Sequence, residues 1–229
     1  MTGGVALLGS AFTMKILSVN VGRPRDVEWR GEKVRTSIWK TPVRGRVAVR
    51  ATNLAGDEQS DLSVHGGVEK AVYVYPYEHY GFWRDELPGE TLEFGRFGEN
   101  LTSEGLVERD LRIGDRLRIG SAEFRITQPR VPCFKLGIRF GRPELVKRFL
   151  RAGRSGFYLA VLREGELGAG DAVERMPVAT PSLSVAEVAA LHAGRDTDRE
   201  RMRFASELAG LPEGWREGFR QALERGGRA

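Results

Sequence analysis

One hairpin pattern constrains the fold more than any other part of this sequence. Residues 116–119 and 122–127 each alternate between apolar and polar side chains, and Gly120-Ser121 separates the two runs. A short glycine-containing connection between alternating runs is typical of an antiparallel β-hairpin. The second run meets Pro129 and cannot extend far, because proline lacks the N–H that a strand donates. We therefore expect a β-rich domain in which residues 130–136 lie just beyond a strand end.

The chain's only cysteine, Cys133, lies in this segment beyond the strand, Gln128-Pro-Arg-Val-Pro-Cys-Phe-Lys-Leu136. Proline fixes its own φ and restricts the residue before it, so residues 128–132 are expected to be stiff and non-helical. Arg130 and Lys135 place positive charge close to the sulfur, which favours thiolate over thiol. The setting indicates a reactive sulfur at a defined position. The alternative is a small buried hydrophobe.

Length and composition limit the classes of protein that remain. The chain has 229 residues, enough for one full core, and a net charge of +5 from 36 basic and 31 acidic residues. A basic chain suits anionic small molecules. One cysteine excludes an internal disulfide, and with three histidines it cannot supply a zinc pattern. Residues 1–13 are too short to span a bilayer and lack a basic start, so we interpret them as a flexible tail of a cytoplasmic protein, with Met14 as an alternative start.

Further strands and helices are predicted along the chain. Apolar runs or alternation predict strands, and a stripe of apolar residues predicts each helix. Pro76 is expected as the first residue of a helix, since proline suits that position. The predicted strands are 15–21, 43–50, 71–75, 97–101, 157–162 and 172–176, and a helix is predicted over 143–151.

A glycine pair in the loop before strand 71–75 is a candidate binding element. Gly66-Gly67 follows His65 and precedes Lys70, so exposed backbone N–H groups and one cation lie together. Such an arrangement can hold an anion. A simple turn at the glycines and a structural hydrogen bond from His65 remain the alternatives.

Two further polar residues are candidates for ligand contacts. Asn100 lies in the segment Phe97-Gly-Glu-Asn-Leu101, and its amide both donates and accepts, which suits the edge of a heterocycle. The alternative is a turn residue at a strand end. Arg154 precedes a predicted strand and is a candidate anion ligand, with a solvated loop arginine as the alternative.

The composition changes at residues 177–181, and helical patterns follow. Ser184-Val-Ala-Glu187 is a capping-box pattern, and two more helices are predicted from Asp198 and from Leu211-Pro212. We therefore divide the chain into a tail at 1–13, a β domain at 14–179 and a three-helix subdomain at 180–229. Core packing explains the apolar residues of these helices. The β domain is expected to bind its ligand without them, provided that it does not depend on them for burial.

Four motifs together resemble one family. They are Asp61-Leu-Ser-Val-His-Gly-Gly-Val-Glu-Lys-Ala-Val-Tyr-Val-Tyr-Pro76, Phe97-Gly-Glu-Asn-Leu-Thr102, Gly114-Asp115 and the segment 128–136. Their order and spacing resemble MOSC-domain proteins of the YiiM-like branch, and the three terminal helices resemble the 3-alpha extension of that branch. The resemblance covers about Met14 to the C-terminus. It implies a mainly β fold, a MOSC-type antiparallel or mixed β-barrel with a few flanking helices and the small three-helix subdomain.

The resemblance also implies a function. Proteins of this branch bind molybdenum cofactor (Mo-molybdopterin) and reduce N-hydroxylated compounds, including hydroxylaminopurine-type base analogues, as a detoxification. The motif cysteine ligates the metal, which places Cys133 as metal ligand and catalytic residue, and thiolate is a soft ligand suited to such a metal. His65 and Asn100 would bind the pterin or orient substrate. Residues implied for the anionic part of the cofactor are Gly66, Gly67, Lys70, Arg130, Lys135 and Arg154.

The expected electron-donor partner follows from redox-cofactor motifs that the sequence lacks. No cysteine set for an iron–sulfur cluster and no dinucleotide fingerprint is evident, so a separate reductase is expected to supply electrons. A homodimer is the default expectation, with no membrane association and no specific nucleic-acid binding. Two other classes stay open, a sulfur or cofactor carrier with a persulfide on Cys133 and a basic module that binds nucleic acid.

Overall fold

The computed structural model describes residues 14–60 and 66–225, and within these ranges strands predominate. The strands are β1 (Lys15–Val21), β2 (Arg25–Trp29), β3 (Glu32–Thr36), β4 (Thr41–Pro42), β5 (Val47–Arg50), β6 (Asn53–Leu54), β7 (Val72–Pro76), β8 (Leu101–Glu104), β9 (Arg116–Ile119), β10 (Ala122–Pro129), β11 (Phe157–Arg163), β12 (Gly165–Leu167) and β13 (Val173–Met176). The helices are α1 (Glu78–Glu86), α2 (Phe134–Phe140), α3 (Leu145–Ala152), α4 (Val185–His192), α5 (Arg199–Glu207) and α6 (Glu213–Arg225), with a 3-10 helix at Val68–Lys70.

Eight strands form the main sheet, in the order β13-β9-β10-β11-β7-β8-β1-β4. All neighbours are antiparallel except β7 and β8, which are parallel, so the sheet is mixed. The predicted barrel does not close as a continuous ladder. An isolated bridge between Lys15 and Ala172 and backbone hydrogen bonds, such as Val173 N–H to the Met14 carbonyl at 2.8 Å, join β1 to the start of β13.

Two smaller sheets complete the β structure. Strands β12, β5 and β6 form one, and the β2–β3 hairpin forms the other. The hairpin turns at Arg30 and Gly31, which both have positive φ (54° and 80°). Two such residues give a turn whose twist matches that of the strands. Neither this hairpin nor β12 was predicted.

Most predicted elements are confirmed, and the errors lie at their boundaries. The predicted helix start at Pro76 is wrong, because Pro76 is the last residue of β7 and α1 begins at Glu78. The predicted strand 43–50 is broken, with β5 limited to Val47–Arg50. The predicted strand 97–101 begins only at Leu101, as β8. The α2 helix was not predicted.

The core has two parts. The larger lies between the main sheet and the C-terminal helices and contains Phe124, Ile126 and Val188. The smaller is aromatic and is centred on Trp83 and Phe149, whose rings stack 5.1 Å apart. It is formed by α1, α2, α3 and the outward face of β7, and it supports the segment that carries Cys133.

The C-terminal helices begin as predicted and join the larger core. Ser184 and Glu187 form the predicted capping box at α4. Ser182 Oγ donates to the Ile113 carbonyl at 2.6 Å, and Arg125 Nη1 donates to the Gly210 carbonyl at 2.9 Å. The helices are therefore bonded to the sheet as well as packed on it. No helix in the described ranges is long and apolar enough to cross a bilayer.

Candidate functional site

Cys133 is held at the start of a helix, immediately beyond the end of β10. It is the N-cap residue of α2, with extended backbone angles (φ −115°, ψ 174°), and it is half-buried. The segment before it is non-helical, as predicted, since β10 ends at Pro129 and α2 begins only at Phe134. The sulfur is thus carried by a backbone that is fixed on both sides.

A cavity of about 100 Å³ lies beside Cys133, and we call it the inner pocket. Four cationic residues and two carboxylates line it, so its field is positive. Several of these groups are buried, which strengthens their effect on a bound anion. The lining residues are Thr36, Ser37, Ile38, Lys40, Asp57, Glu58, Gln59, Ser60, Lys70, Tyr73, Gly98, Asn100, Arg130, Val131, Cys133, Lys135 and Tyr158.

Arg130 is the most deeply buried cation predicted for this site, at 6 % exposure. Its guanidinium lies 5.2 Å from the Tyr73 ring centroid and 5.3 Å from that of Phe149. Burial alone lowers the pKa of Arg130, but the Tyr73 and Tyr158 hydroxyls and then Cys133 outweigh it, and the pKa is raised. Arg130 therefore stays charged. Its Nη1 is buried without a hydrogen-bond partner among the described residues.

The backbone around Arg130 is fixed by a close approach of Gly156. The Arg130 N–H donates to the Gly156 carbonyl at 3.1 Å, and Gly156 has a φ of 65°. A Cβ at Gly156 would lie 2.4 Å from the Val74 carbonyl oxygen. Only glycine fits this position, and it sets the depth of Arg130 in the pocket.

The other predicted cations are also brought to the inner pocket. Lys135 is 8 % exposed in the first turn of α2, and its Nζ donates to Ser60 Oγ at 3.3 Å. Lys70 ends the 3-10 helix, and burial lowers the pKa of its amine. The Gly67 N–H is 3.3 Å from Gln59 Oε1 and donates to it, which argues against its predicted role in an anion cradle. His65 lies outside the described residues.

Asn100 reaches the inner pocket, but its amide is used by the protein. Its Nδ2 donates to the Asn20 carbonyl at 3.3 Å and to Asp57 Oδ2 at 2.9 Å, and its Oδ1 accepts from the Tyr73 N–H at 3.1 Å. Both N–H donors are occupied, so the structure assigns Asn100 to holding β7 and Asp57 in place. A direct contact with a pterin stays a prediction.

Arg154 is not among the residues that line the inner pocket, and its role as an anion ligand stays a prediction. Its Nη1 lies 3.1 Å from His79 Nδ1, and His79 Nε2 lies 2.7 Å from Glu108 Oε2. Its guanidinium also covers the Phe82 ring, at 4.5 Å from the centroid. These contacts hold the Arg154 side chain against α1.

A buried ion pair that was not predicted lines the inner pocket. Lys40 Nζ donates to Asp57 Oδ1, and Asp57 also accepts from the Gly22 N–H at 2.8 Å. Burial lowers the pKa of Lys40, whereas Asp57 opposes that shift. The pair is 9 % and 3 % exposed. Nothing in the local sequence marks these residues, because 17 positions separate them.

Removal of Asp57 gives a testable stability effect. Asp57→Ala leaves the Lys40 charge buried without its partner, which typically costs about 3–5 kcal/mol in the free energy of unfolding. The loss should be largest near neutral pH. It should shrink as the pH rises toward the ordinary lysine value of 10.5, because the folded variant then holds neutral Lys40. Urea unfolding at two pH values measures both effects, with the double variant Lys40→Met/Asp57→Ala expected to recover part of the loss. An unchanged unfolding midpoint in Asp57→Ala would contradict the assignment.

A second and larger cavity, the outer cleft, opens on the other side of Cys133. Its volume is about 750 Å³, within the range of ligand sites. One wall comes from the β10–α2 segment and the other from the C-terminal helices, and Trp215 Nε1 donates to Gln128 Oε1 across it. Lys70, Val131, Cys133 and Tyr158 line both cavities. Cys133 therefore lies where the inner pocket and the outer cleft meet.

Comparison with known families gives a match for each of the two parts of the chain. Residues 61–174 match the MOSC domain, and residues 183–226 match the YiiM-like 3-alpha helix domain. The chain belongs to the YiiM-like family of MOSC-domain proteins. The MOSC domain is a molybdenum cofactor-binding type of domain, so the family confirms this coarse class of function for the chain.

Individual proteins agree with this assignment. The chain is 40 % identical to YflK of Bacillus subtilis, over 92 % of this chain and 95 % of that protein. It is 32 % identical to the protein YiiM of Escherichia coli, over 89 % and 87 % of the two chains. It is 34 % identical to a protein named reductase from Gibberella moniliformis, over 84 % of this chain but only 35 % of that protein. The crystal structure of YiiM from Geobacillus stearothermophilus superposes with a TM-score of 0.77 at 33 % identity, over 92 % and 99 % of the two chains.

Proposed function

We propose that this protein is a molybdenum cofactor-dependent reductase of N-hydroxylated compounds, with Cys133 as the metal ligand. The observation that carries the proposal is the position of Cys133, fixed at a helix N-cap between a cationic pocket and a ligand-sized cleft. A cysteine that acts only as a small buried hydrophobe would not need to line either cavity. The family assignment supports the class of cofactor, and the similarity to a protein named reductase supports the class of reaction.

The residues present fit an anionic, sulfur-rich cofactor. Thiolate is a soft ligand suited to a redox-active metal. The buried Nη1 of Arg130 lacks a partner within the described residues, and a buried guanidinium N–H without an acceptor costs free energy that a bound anion recovers. Lys70 and Lys135 add two more donors on the same pocket. We assign these three side chains to the anionic part of the cofactor and Cys133 to the metal.

These positions indicate what the cofactor and the protein would each contribute to the reaction. When bound, the cofactor supplies two-electron redox chemistry toward an N–O bond, and the protein supplies orientation and field. Cys133, which lines both cavities, would hold the metal. The outer cleft is then the space left for substrate, with Gln128 and Trp215 on its walls. The overall change is R–NHOH + 2 e⁻ + 2 H⁺ → R–NH₂ + H₂O, with the electrons supplied by a separate reductase.

Metal and sulfur analysis tests the proposal against the carrier alternative. The protein is purified from a host that makes molybdenum cofactor, and molybdenum, pterin and labile sulfur are measured per chain. Stoichiometric molybdenum and pterin, with turnover of a hydroxylaminopurine under dithionite, support the reductase. Metal-free protein that carries labile sulfur on Cys133 supports the sulfur carrier instead. A homodimer remains part of the proposal, and light scattering on the same sample tests it.

Lys70 offers a prediction about cofactor retention. Lys70→Ala removes one charged donor from the inner pocket, and a hydrogen bond to a charged group contributes about 1.5–3 kcal/mol. Bound cofactor per protein should fall roughly tenfold or more under limiting supply. The melting temperature of the cofactor-free protein should hold, because Lys70 is only partly buried. Lys147→Ala, an exposed lysine on α3, is the matched control. A lowered melting temperature with full occupancy would make Lys70 structural.

The same test at Arg130 needs a substitution other than alanine, because the Arg130 side chain is packed between aromatic rings. Arg130→Ala would leave a cavity beside Tyr73 and Phe149 and would lower stability together with occupancy. Arg130→Lys keeps the charge and most of the volume, and it is therefore the substitution that reports on the guanidinium contact alone.

A further inference from the structure

A group of arginines surrounds Trp39 on the outer wall of the inner pocket. The guanidinium carbon of Arg25 lies 3.7 Å from the Trp39 ring centroid, and that of Arg139 lies 5.6 Å from it. Arg96 lies nearby over Phe140, at 4.6 Å. We call Arg25, Trp39, Arg96 and Arg139 the arginine patch.

The charge of this patch is only partly balanced by nearby carboxylates, since Glu93 and Glu99 act to raise the pKa of Arg139. Within residues 14–60 and 66–225, neither Arg25 nor Arg139 has a carboxylate oxygen within 4.0 Å, whereas Arg96 pairs with Glu90 at 2.7 Å. The Nε of Arg139 is also buried without a hydrogen-bond partner in these ranges. Burial, and then the charges of Arg96 and Arg25, lower the pKa of Arg139 to about 10. Like charges are held together here at a cost, which an anionic partner would relieve.

The patch lies close to the proposed metal ligand. Arg139 is six residues after Cys133 on the same helix, α2, a separation of about 9 Å along the axis. Trp39 lies between Ile38 and Lys40, and both of these residues line the inner pocket. The patch is therefore the outer surface of the wall that encloses the site.

We propose that the arginine patch docks the electron donor, a small acidic protein that carries one electron at a time on a flavin mononucleotide or iron–sulfur centre. This inference rests on the proposed function, which consumes two electrons per substrate and contains no source of them. Two one-electron transfers oxidise two carrier molecules and reduce one R–NHOH to R–NH₂ and water. Complementary charge steers such encounters and fixes their orientation.

A protein fits this surface better than a small anion. Arg25 is exposed on the β2–β3 hairpin, and Trp39 is half-exposed beneath it. Trp and Arg are the residues most enriched where protein partners bind tightly. The exposed guanidinium of Arg25 lies over the Trp39 ring rather than inside a closed cavity, so it presents its charge outward.

The test uses the full-length protein loaded with cofactor and the double variant Arg25→Glu/Arg139→Glu. Turnover is driven by reduced flavodoxin, by reduced [2Fe–2S] ferredoxin, or by dithionite with methyl viologen. With at least one protein carrier, the second-order rate should fall about tenfold or more in the variant, and its salt dependence should flatten. Turnover with dithionite should stay at the wild-type rate. Arg116→Glu, at an exposed arginine on β9, makes the charge change of one of these two substitutions elsewhere and should alter neither rate.

Carrier binding is also measured directly, by calorimetry at low and high salt. If dithionite drives no turnover in the wild-type protein, the proposed function fails, and the titration still decides the docking. Carrier binding that is absent, or equal in wild type and variant, overturns the docking site. Inorganic phosphate that displaces the carrier at submillimolar concentration and binds at the patch would make it a small-anion site and would also overturn the proposal. If the double variant has a lowered melting temperature, the single variant Arg25→Glu replaces it in these measurements, because Arg25 is exposed.

Discussion

Cys133→Ser is expected to abolish reduction of N-hydroxylated compounds while leaving the fold intact. A serine hydroxyl is neutral at physiological pH and is a hard, weak substitute for a thiolate ligand, so the metal should be lost or held incorrectly. Molybdenum per chain and dithionite-driven turnover measure this effect. We expect turnover to fall by at least two to three orders of magnitude, a loss of about 3–4 kcal/mol of transition-state stabilisation.

The position of Cys133 makes this variant a clean test. Cys133 is the N-cap of α2, and serine is among the residues preferred there because its oxygen accepts from the first N–H groups of a helix. When both proteins are compared without cofactor, Cys133→Ser should therefore melt at or slightly above the wild-type temperature. Cys133→Ala removes the ligand and supplies no capping oxygen, so it should lose activity equally but melt no higher than the wild type. Full turnover in either variant would refute the metal-ligand assignment.

The position of Cys133 was predictable because its causes are local. Two prolines end a strand and fix the residues before the cysteine, and these constraints act whatever the rest of the chain does. The α2 helix that follows was not predictable in the same way. Gly137 weakens its helix propensity, and Leu136 and Phe140 hold it in place by packing into the aromatic part of the core. That packing partner is assembled from distant segments.

The contacts that Asn100 and Arg154 make within the protein were unpredictable for the same reason. The hydrogen bonds of Asn100 reach back to Asn20 and Asp57, across 80 and 43 residues. Arg154 is held by His79, 75 residues away. A sequence pattern shows that an amide or a guanidinium is present, but only the fold shows whether a protein group already occupies it. Lys40 and Asp57 are the opposite case. The fold pairs them at the pocket, although neither residue belongs to a recognisable sequence motif.

The structure changes the result that we expect from deleting the C-terminal helices. The sequence allowed a chain ending at Thr180 to bind cofactor, on the condition that the β domain did not depend on the helices for burial. That condition fails. Six large apolar side chains beyond Thr180 are buried in the same core as Phe124 and Ile126: Leu183, Val185, Val188, Leu191, Leu211 and Phe219.

A chain truncated after Thr180 should therefore fail to fold. Burial of one such side chain contributes about 1.5–3 kcal/mol, so six are comparable with the roughly 5–15 kcal/mol that stabilises a whole domain. The truncation also removes the backbone bonds from Ile113 to Leu183 and from Val185 to Leu111, and one wall of the outer cleft. We expect insoluble or molten protein without bound molybdenum, measured by solubility, circular dichroism and metal content. Co-expression of residues 181–229 as a separate chain should restore part of the soluble, loaded protein, because the lost contacts are non-covalent. A truncated chain that is soluble and fully loaded would show that the sheet buries its own core and that the helices serve the cleft alone.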